Sequence, residues 1–131
     1  MLTINNKEYK KFKVQIIWKN YTIVSSKNKW SGISPSFIFN TDNETITIET
    51  TTSKTIFENM KNNTKNNIKD SISDITYEND KGWISIIDGK YNCDITKINK
   101  DTFNITFNIT TKDIDEEFNI KIDENINILN N

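Results

Sequence analysis

Histidine, arginine and alanine are missing from this chain, and its 131 residues hold one Cys, one Pro, two Met and three Gly. Each absence excludes a class of chemistry. Without His there is no side chain of the kind most used for proton transfer and metal binding near neutral pH. Without Arg there is no planar fork to grip phosphate or guanine bidentately. Gly32, Gly82 and Gly89 are too scattered for a loop that cradles phosphates. A lone Cys93 cannot close an intramolecular disulfide, which fits a reducing compartment. The opening MLTINNKEYKKF carries no apolar signal region, and no apolar run approaches the roughly 18 residues of a membrane span. A cytoplasmic location is therefore expected.

Four residue types fill most of the chain: 24 Ile, 21 Asn, 17 Lys and 16 Thr. Their codons are rich in A and T, which suggests a strongly AT-biased genome. Mean hydropathy is −0.65, polar enough to raise the question of disorder. Against that, Ile, Leu, Val and Phe supply 35 residues, above the roughly 20% floor for disordered chains, and net charge is only −1. The chain should fold, as one β-rich domain over 1–131. A net charge near zero exerts no global pull on nucleic acid or anionic membrane, and neither is expected as a partner. No cofactor is expected either.

The dominant period is two. From Thr102 to Thr110, Phe103, Ile105, Phe107 and Ile109 alternate with Asn and Thr, giving one apolar face and one uncharged polar face. A half-buried antiparallel strand requires that pattern. It recurs in Phe12, Val14, Ile16 and Trp18, in Phe37 and Phe39, in Ile46 and Ile48, and in Phe118, Ile120 and Ile122. Residues branched at Cβ reinforce the reading, because they suit a pleated surface. Five strands are expected before residue 52, the first a short Leu2–Ile4, and five more from Ile72 onward. Thr41–Asn43, Asn79–Gly82 and Asn99–Asp101 are plausible connections. Asp88-Gly89 is the strongest short hairpin signal and predicts that the strands flanking it pair.

One segment departs from this period. Thr55 and Glu58 have capping-box spacing, and Ile56, Phe57, Met60, Thr64, Ile68 and Ile72 follow at helical intervals. Five Asn in the same stretch cost about 3 kcal/mol relative to Ala. Burial of the apolar side chains outweighs that only if a sheet receives them. The expectation is a helix over about 55–70 packed on a sheet. The whole then reads as a mainly β (α+β) antiparallel sandwich or flattened barrel of about ten strands.

Few constellations can carry chemistry. Cys93 shares a strand face with Tyr91 and Ile95 and reads as an inert core thiol. Asp113, Asp115, Glu116 and Glu117 crowd one connection and are weak candidates for a Ca²⁺ site, but their spacing matches no EF-hand loop. Trp83 follows Gly82 at a strand start. Trp30 stands in a stretch punctuated by Gly32 and Pro35 that reads as a loop, flanked by Lys27 and Lys29. Trp on a loop is a typical interface anchor. Trp30, Lys27, Lys29 and Trp83 are the candidate binding residues.

By exclusion, this composition points away from an enzyme. It points toward a protein-interaction module with a protein partner, of the small inhibitor or immunity type or a virus-encoded accessory type. Two rivals stand beside it: a virion or tail-type subunit that assembles into rings, and a carrier of a small apolar ligand.

Overall fold

The computed structural model describes residues 1–113 and 116–127, with the backbone alone at Trp30, Asp113, Glu116 and Glu117. Its strands are β1 (Leu2–Ile4), β2 (Lys7–Tyr9), β3 (Lys13–Val24), β4 (Lys29–Asn40), β5 (Thr45–Thr50) and β6 (Lys65–Asn67). They continue as β7 (Ile72–Asn79), β8 (Gly82–Ser85), β9 (Lys90–Lys97), β10 (Thr102–Asp113) and β11 (Glu116–Asn127). Two antiparallel sheets result, one of order β2-β1-β11-β10-β9-β6 and the other of order β3-β4-β5-β7-β8.

The period-two pattern explains why the sheets meet. In β10, Phe103, Ile105, Phe107 and Ile109 are buried, and the neighbouring strands match them in register, with Phe107 opposite Cys93 and Ile122. In the second sheet Ile16, Phe37, Ile48 and Ile75 lie in register across β3, β4, β5 and β7. Both sets belong to one buried cluster, so the inner faces pack on each other as a sandwich. At about 1.5–3 kcal/mol per buried Ile or Phe, this interior is the main force holding the two layers together.

The helix is real but much shorter than the expected 55–70. It is α1, Lys54–Glu58, and Ser53 rather than Thr55 caps it, its hydroxyl accepting from the Ile56 amide at 3.3 Å. Beyond Glu58 the Asn side chains compete for the backbone. Asn63 takes a left-handed φ of 60°, Asn66 donates to the Thr64 carbonyl at 2.9 Å, and Asn67 accepts from the Lys69 amide at 3.1 Å. The segment becomes an ordered connection that contributes β6 to the first sheet and a single 3₁₀ turn at Lys69–Ser71. Its apolar residues still dock: Ile68 and Ile72 are buried, while Ile56 is exposed. Phe57 does most of the joining. Its ring meets Trp18, Phe37 and Phe103 edge-on at 6.0, 6.3 and 5.8 Å, touching strands of both sheets.

A second departure concerns Asp88-Gly89. A tight turn does fall there, but β8 and β9 lie in different sheets, so it is a crossover and not a hairpin. The true hairpin is β7–β8, closed at Asn79–Gly82. Gly82 takes a φ of 132°, which side-chain-bearing residues rarely adopt.

Candidate interaction surface

The β3–β4 hairpin is longer than the sheet that carries it. All twelve residues of β3 pair with β4, from Lys13 opposite Asn40 to Val24 opposite Lys29. β5, however, pairs only with Ser36–Asn40. Ser34 and Pro35 are still buried, so 20–24 and 29–33 are the part that extends past the body as a two-stranded arm, on the order of 15 Å long at 3.3 Å per residue. Pro35 stands one residue beyond the last β4–β5 pair, where β4 becomes an edge, the place a strand tolerates proline. Its carbonyl takes the Thr50 hydroxyl at 3.0 Å.

The base of the arm is anchored. Trp18 packs on Phe57, and the Lys54 ammonium sits 5.3 Å from the Trp18 ring centroid. Further out, Tyr21 lies over Gly32, so close that a Cβ there would fall 2.8 Å from the Tyr21 hydroxyl. At the tip Val24 is 72% exposed, with Ile23 and Ile33 also exposed. Three hydrogen bonds between Ser25 and Asn28 close the turn: the Ser25 amide and hydroxyl donate to the Asn28 carbonyl at 2.8 and 3.3 Å, and the Asn28 amide donates to the Ser25 hydroxyl at 3.2 Å.

The candidate residues fall as follows. Lys27 lies in the tip turn and Lys29 opens β4; both are exposed and make no ion pair among the described residues. Trp30 is not on a loop: its backbone belongs to β4, opposite Ile23. Gly32 and Pro35 do not break β4: Gly32 makes room for the Tyr21 ring, and Pro35 is buried where β5 has stopped pairing with the strand. Trp83 is 70% exposed on β8, at the far edge of the same sheet, so the structure does not bring it to the arm. Asp115 lies outside the described residues, as do the side chains of Asp113, Glu116 and Glu117. Among the described residues no group of three or more Cys, Asp or Glu is placed to hold a metal.

Sequence reasoning missed Ile23, Val24 and Ile33 on the arm and Ile84 beside Trp83. A signal was present. Between Glu8 and Asp42 the chain carries six Lys and no acidic residue, which makes the arm wholly basic. By contrast, 70–89, covering β7 and β8, holds five acids and only Lys81. The two edges of one sheet thus differ in sign.

Other groups of chemical interest are structural in character. Tyr77 donates its hydroxyl to Glu44, and Tyr9 bonds the same carboxylate. Burial first, and then Glu44, push Tyr77 up to about 12; for Tyr9 the Glu44 hydrogen bond is the main cause of a raised value. Both phenols therefore stay protonated at neutral pH. The Tyr77 ring stacks obliquely on Phe118 at 4.8 Å, tying β7 of one sheet to β11 of the other. Cys93 is fully buried, and desolvation pushes its thiol up to about 12, so no thiolate nucleophile forms there. An open hollow of about 460 Å³ beside α1, lined by Ile56, Met60, Thr64 and Asn66, holds Lys61 as its one ionisable group.

No helix among the described residues is long and apolar enough to cross a membrane. No protein-family model, curated protein or solved structure matches this chain.

Proposed function

We propose that this chain is a non-enzymatic protein-interaction module, of the inhibitor or immunity kind or a virus-encoded accessory kind, and that its partner docks on the β3–β4 arm. One observation carries the reading: a two-stranded ribbon leaves the sandwich and exposes Ile23, Val24 and Ile33 among lysines. Strand edges outside a sheet offer backbone donors and acceptors to an added strand, and alternate side chains supply the selectivity. The poverty of groups that titrate near neutral pH supports the non-catalytic half of the proposal.

The test is capture of partners from the native host by the tethered protein, compared with an Ile23→Ser, Val24→Ser variant. A protein partner retained by the first and lost with the second is expected. Retention of the same set by both would sink the proposal.

The rival of a ring-forming virion or tail-type subunit has one specific observation in its favour, the opposite charge on the two edges of the five-stranded sheet. The carrier reading draws no such support: Phe39, Phe107, Ile95 and Ile105 occupy the interior in one cluster.

A further inference from the structure

We infer that the partner of the arm is a second copy of this chain, joined head to tail, with the arm of one copy lying along β8 of the next. The inference rests on the reading of the arm as a docking element and, in naming a copy of this chain as its occupant, takes the ring-forming subunit of the two interaction readings.

Three observations converge on it. The first is charge. The arm carries Lys27 and Lys29 with no acidic residue, Lys19 at its base being paired with Glu49 at 3.5 Å, whereas β7, β8 and their connections carry Asp74, Glu78, Asp80 and Asp88 against Lys81. Glu78 and Asp80 are exposed and form no ion pair among the described residues. The second is exposure. β8 is exposed along its whole length, Trp83 and Ile84 included, and β7 is its one strand neighbour among the described residues. Two apolar side chains on opposite faces of one strand are both unshielded, as they are on the arm. The third is size. The arm's 14 residues, 20–33, are below the roughly 20–30 per side of a standard interface, a scale that fits assembly reversible with concentration.

The two surfaces sit on opposite edges of a single sheet, so the contact is heterologous. Each copy has one arm to give and one β8 edge to receive. Such a contact repeats until it closes into a ring or runs on as a fibre. Pairing between two arms, or between two β8 edges, would instead set like charges together. That arrangement is disfavoured, since like charges directly opposite destabilise a strand pair. Nucleic acid could also seek a basic ribbon, but it leaves the acidic, apolar β8 edge without a role.

Sedimentation velocity over a concentration series, from below micromolar to near millimolar, tests the inference on the whole chain. Particles larger than a dimer of the 15.3 kDa protomer are expected, and they should shrink as salt rises. A Lys27→Glu, Lys29→Glu variant should be monomeric, and so should a Glu78→Lys, Asp80→Lys variant. Both change only exposed residues, and circular dichroism with a thermal melt checks that each is folded. Mixed one to one, the two variants should reassemble, because each then meets the charge its altered surface requires.

Besides a plain monomer, three outcomes overturn the inference. One is a monomer throughout the series that binds a fluorescent single-stranded oligonucleotide through the arm lysines. Another is a dimer lost only in the arm variant, which would mean arm-to-arm pairing. The last is assembly untouched by either reversal. A monomer that still captures an arm-dependent host protein removes self-assembly and leaves the interaction reading standing. A monomer with no arm-dependent partner removes both.

Discussion

β3 and β10 are both twelve-residue strands, and they live under different conditions. β10 is flanked by β9 and β11, and each alternate side chain from Phe103 to Ile109 is buried. β3 begins the same way, with Val14, Ile16 and Trp18 turned toward the core, but past Trp18 the inward positions become Asn20, Thr22 and Val24. The alternation stops where the body stops. Strict apolar spacing in a strand thus reports the presence of an opposing layer, and its decay marks backbone that leaves the layer behind.

The sharpest test of that contrast is truncation in the body. Phe107→Ala, and likewise Phe57→Ala at the meeting of both sheets, should cost about 3–5 kcal/mol in urea denaturation. Both rings are almost wholly buried. A much smaller loss at Phe57 would show that α1 is an ornament on the sandwich and not a joint.

Alkali should act next, again on the body. Cys93 and Tyr77 are held neutral in the folded protein, each pushed up to about 12 from ordinary values of 9.0 and 10.0. The unfolded chain ionises first, so the stability these groups contribute is complete below about pH 9. It falls as pH rises toward 12. Urea midpoints followed from neutral pH upward should decline through that window. Cys93→Val should flatten the early part of the decline and Tyr77→Phe the later part. A thiol reagent should label Cys93 only at the rate of unfolding; rapid labelling of the native protein would contradict the burial.

Glycine substitutions give a finer comparison. A Cβ at Gly89 would meet the Thr110 carbonyl at 2.9 Å and the Thr111 Cβ at 3.0 Å, atoms of a central strand that cannot yield. Gly89→Ala should therefore cost about 1–3 kcal/mol in thermal denaturation. Gly32→Ala on the arm meets only the Tyr21 ring, which can swing away, so the loss should stay under about 1 kcal/mol. Equal losses at the two positions would mean that the arm is as tightly built as the sandwich. The smallest effect belongs to the arm tip: Val24→Ser should change stability by no more than about 0.5 kcal/mol by the same measurement.

Much of the body was legible because burial on one face writes itself into the residue order. Five strands stand before residue 52 and five from Ile72 onward, as the alternation predicts, though β4 also takes in the 29–35 stretch that reads as a loop. What failed was non-local. Nothing in Asp88-Gly89 says which layer the next strand will join, since a turn is chosen by its own backbone angles. β6, the polar triplet Lys65–Asn67, has no apolar face to announce it and exists because β9 offers an edge. The helix over 55–70 ends at Glu58 because the Asn side chains, which count as a propensity cost of about 3 kcal/mol, in fact take specific backbone partners beyond it. At the candidate surface, Trp83 and the lysines were legible as exposed types, but the arm was not. Its length is visible only by comparing how far β4 pairs on its two sides.

The place of β1 sets an order of events. Leu2, Thr3 and Ile4 pair with Ile122, Lys121 and Ile120, and β1 stands between β2 and β11. A chain emerging from the ribosome cannot complete the six-stranded layer until β11 has been synthesised. Closing so long a loop adds only modest entropy, since that cost grows logarithmically with length. Pairing between such distant partners is nonetheless slow to find, and β1 and β2 remain exposed edge material during the wait. Newly made copies would then be most prone to clump in the interval before β11 arrives.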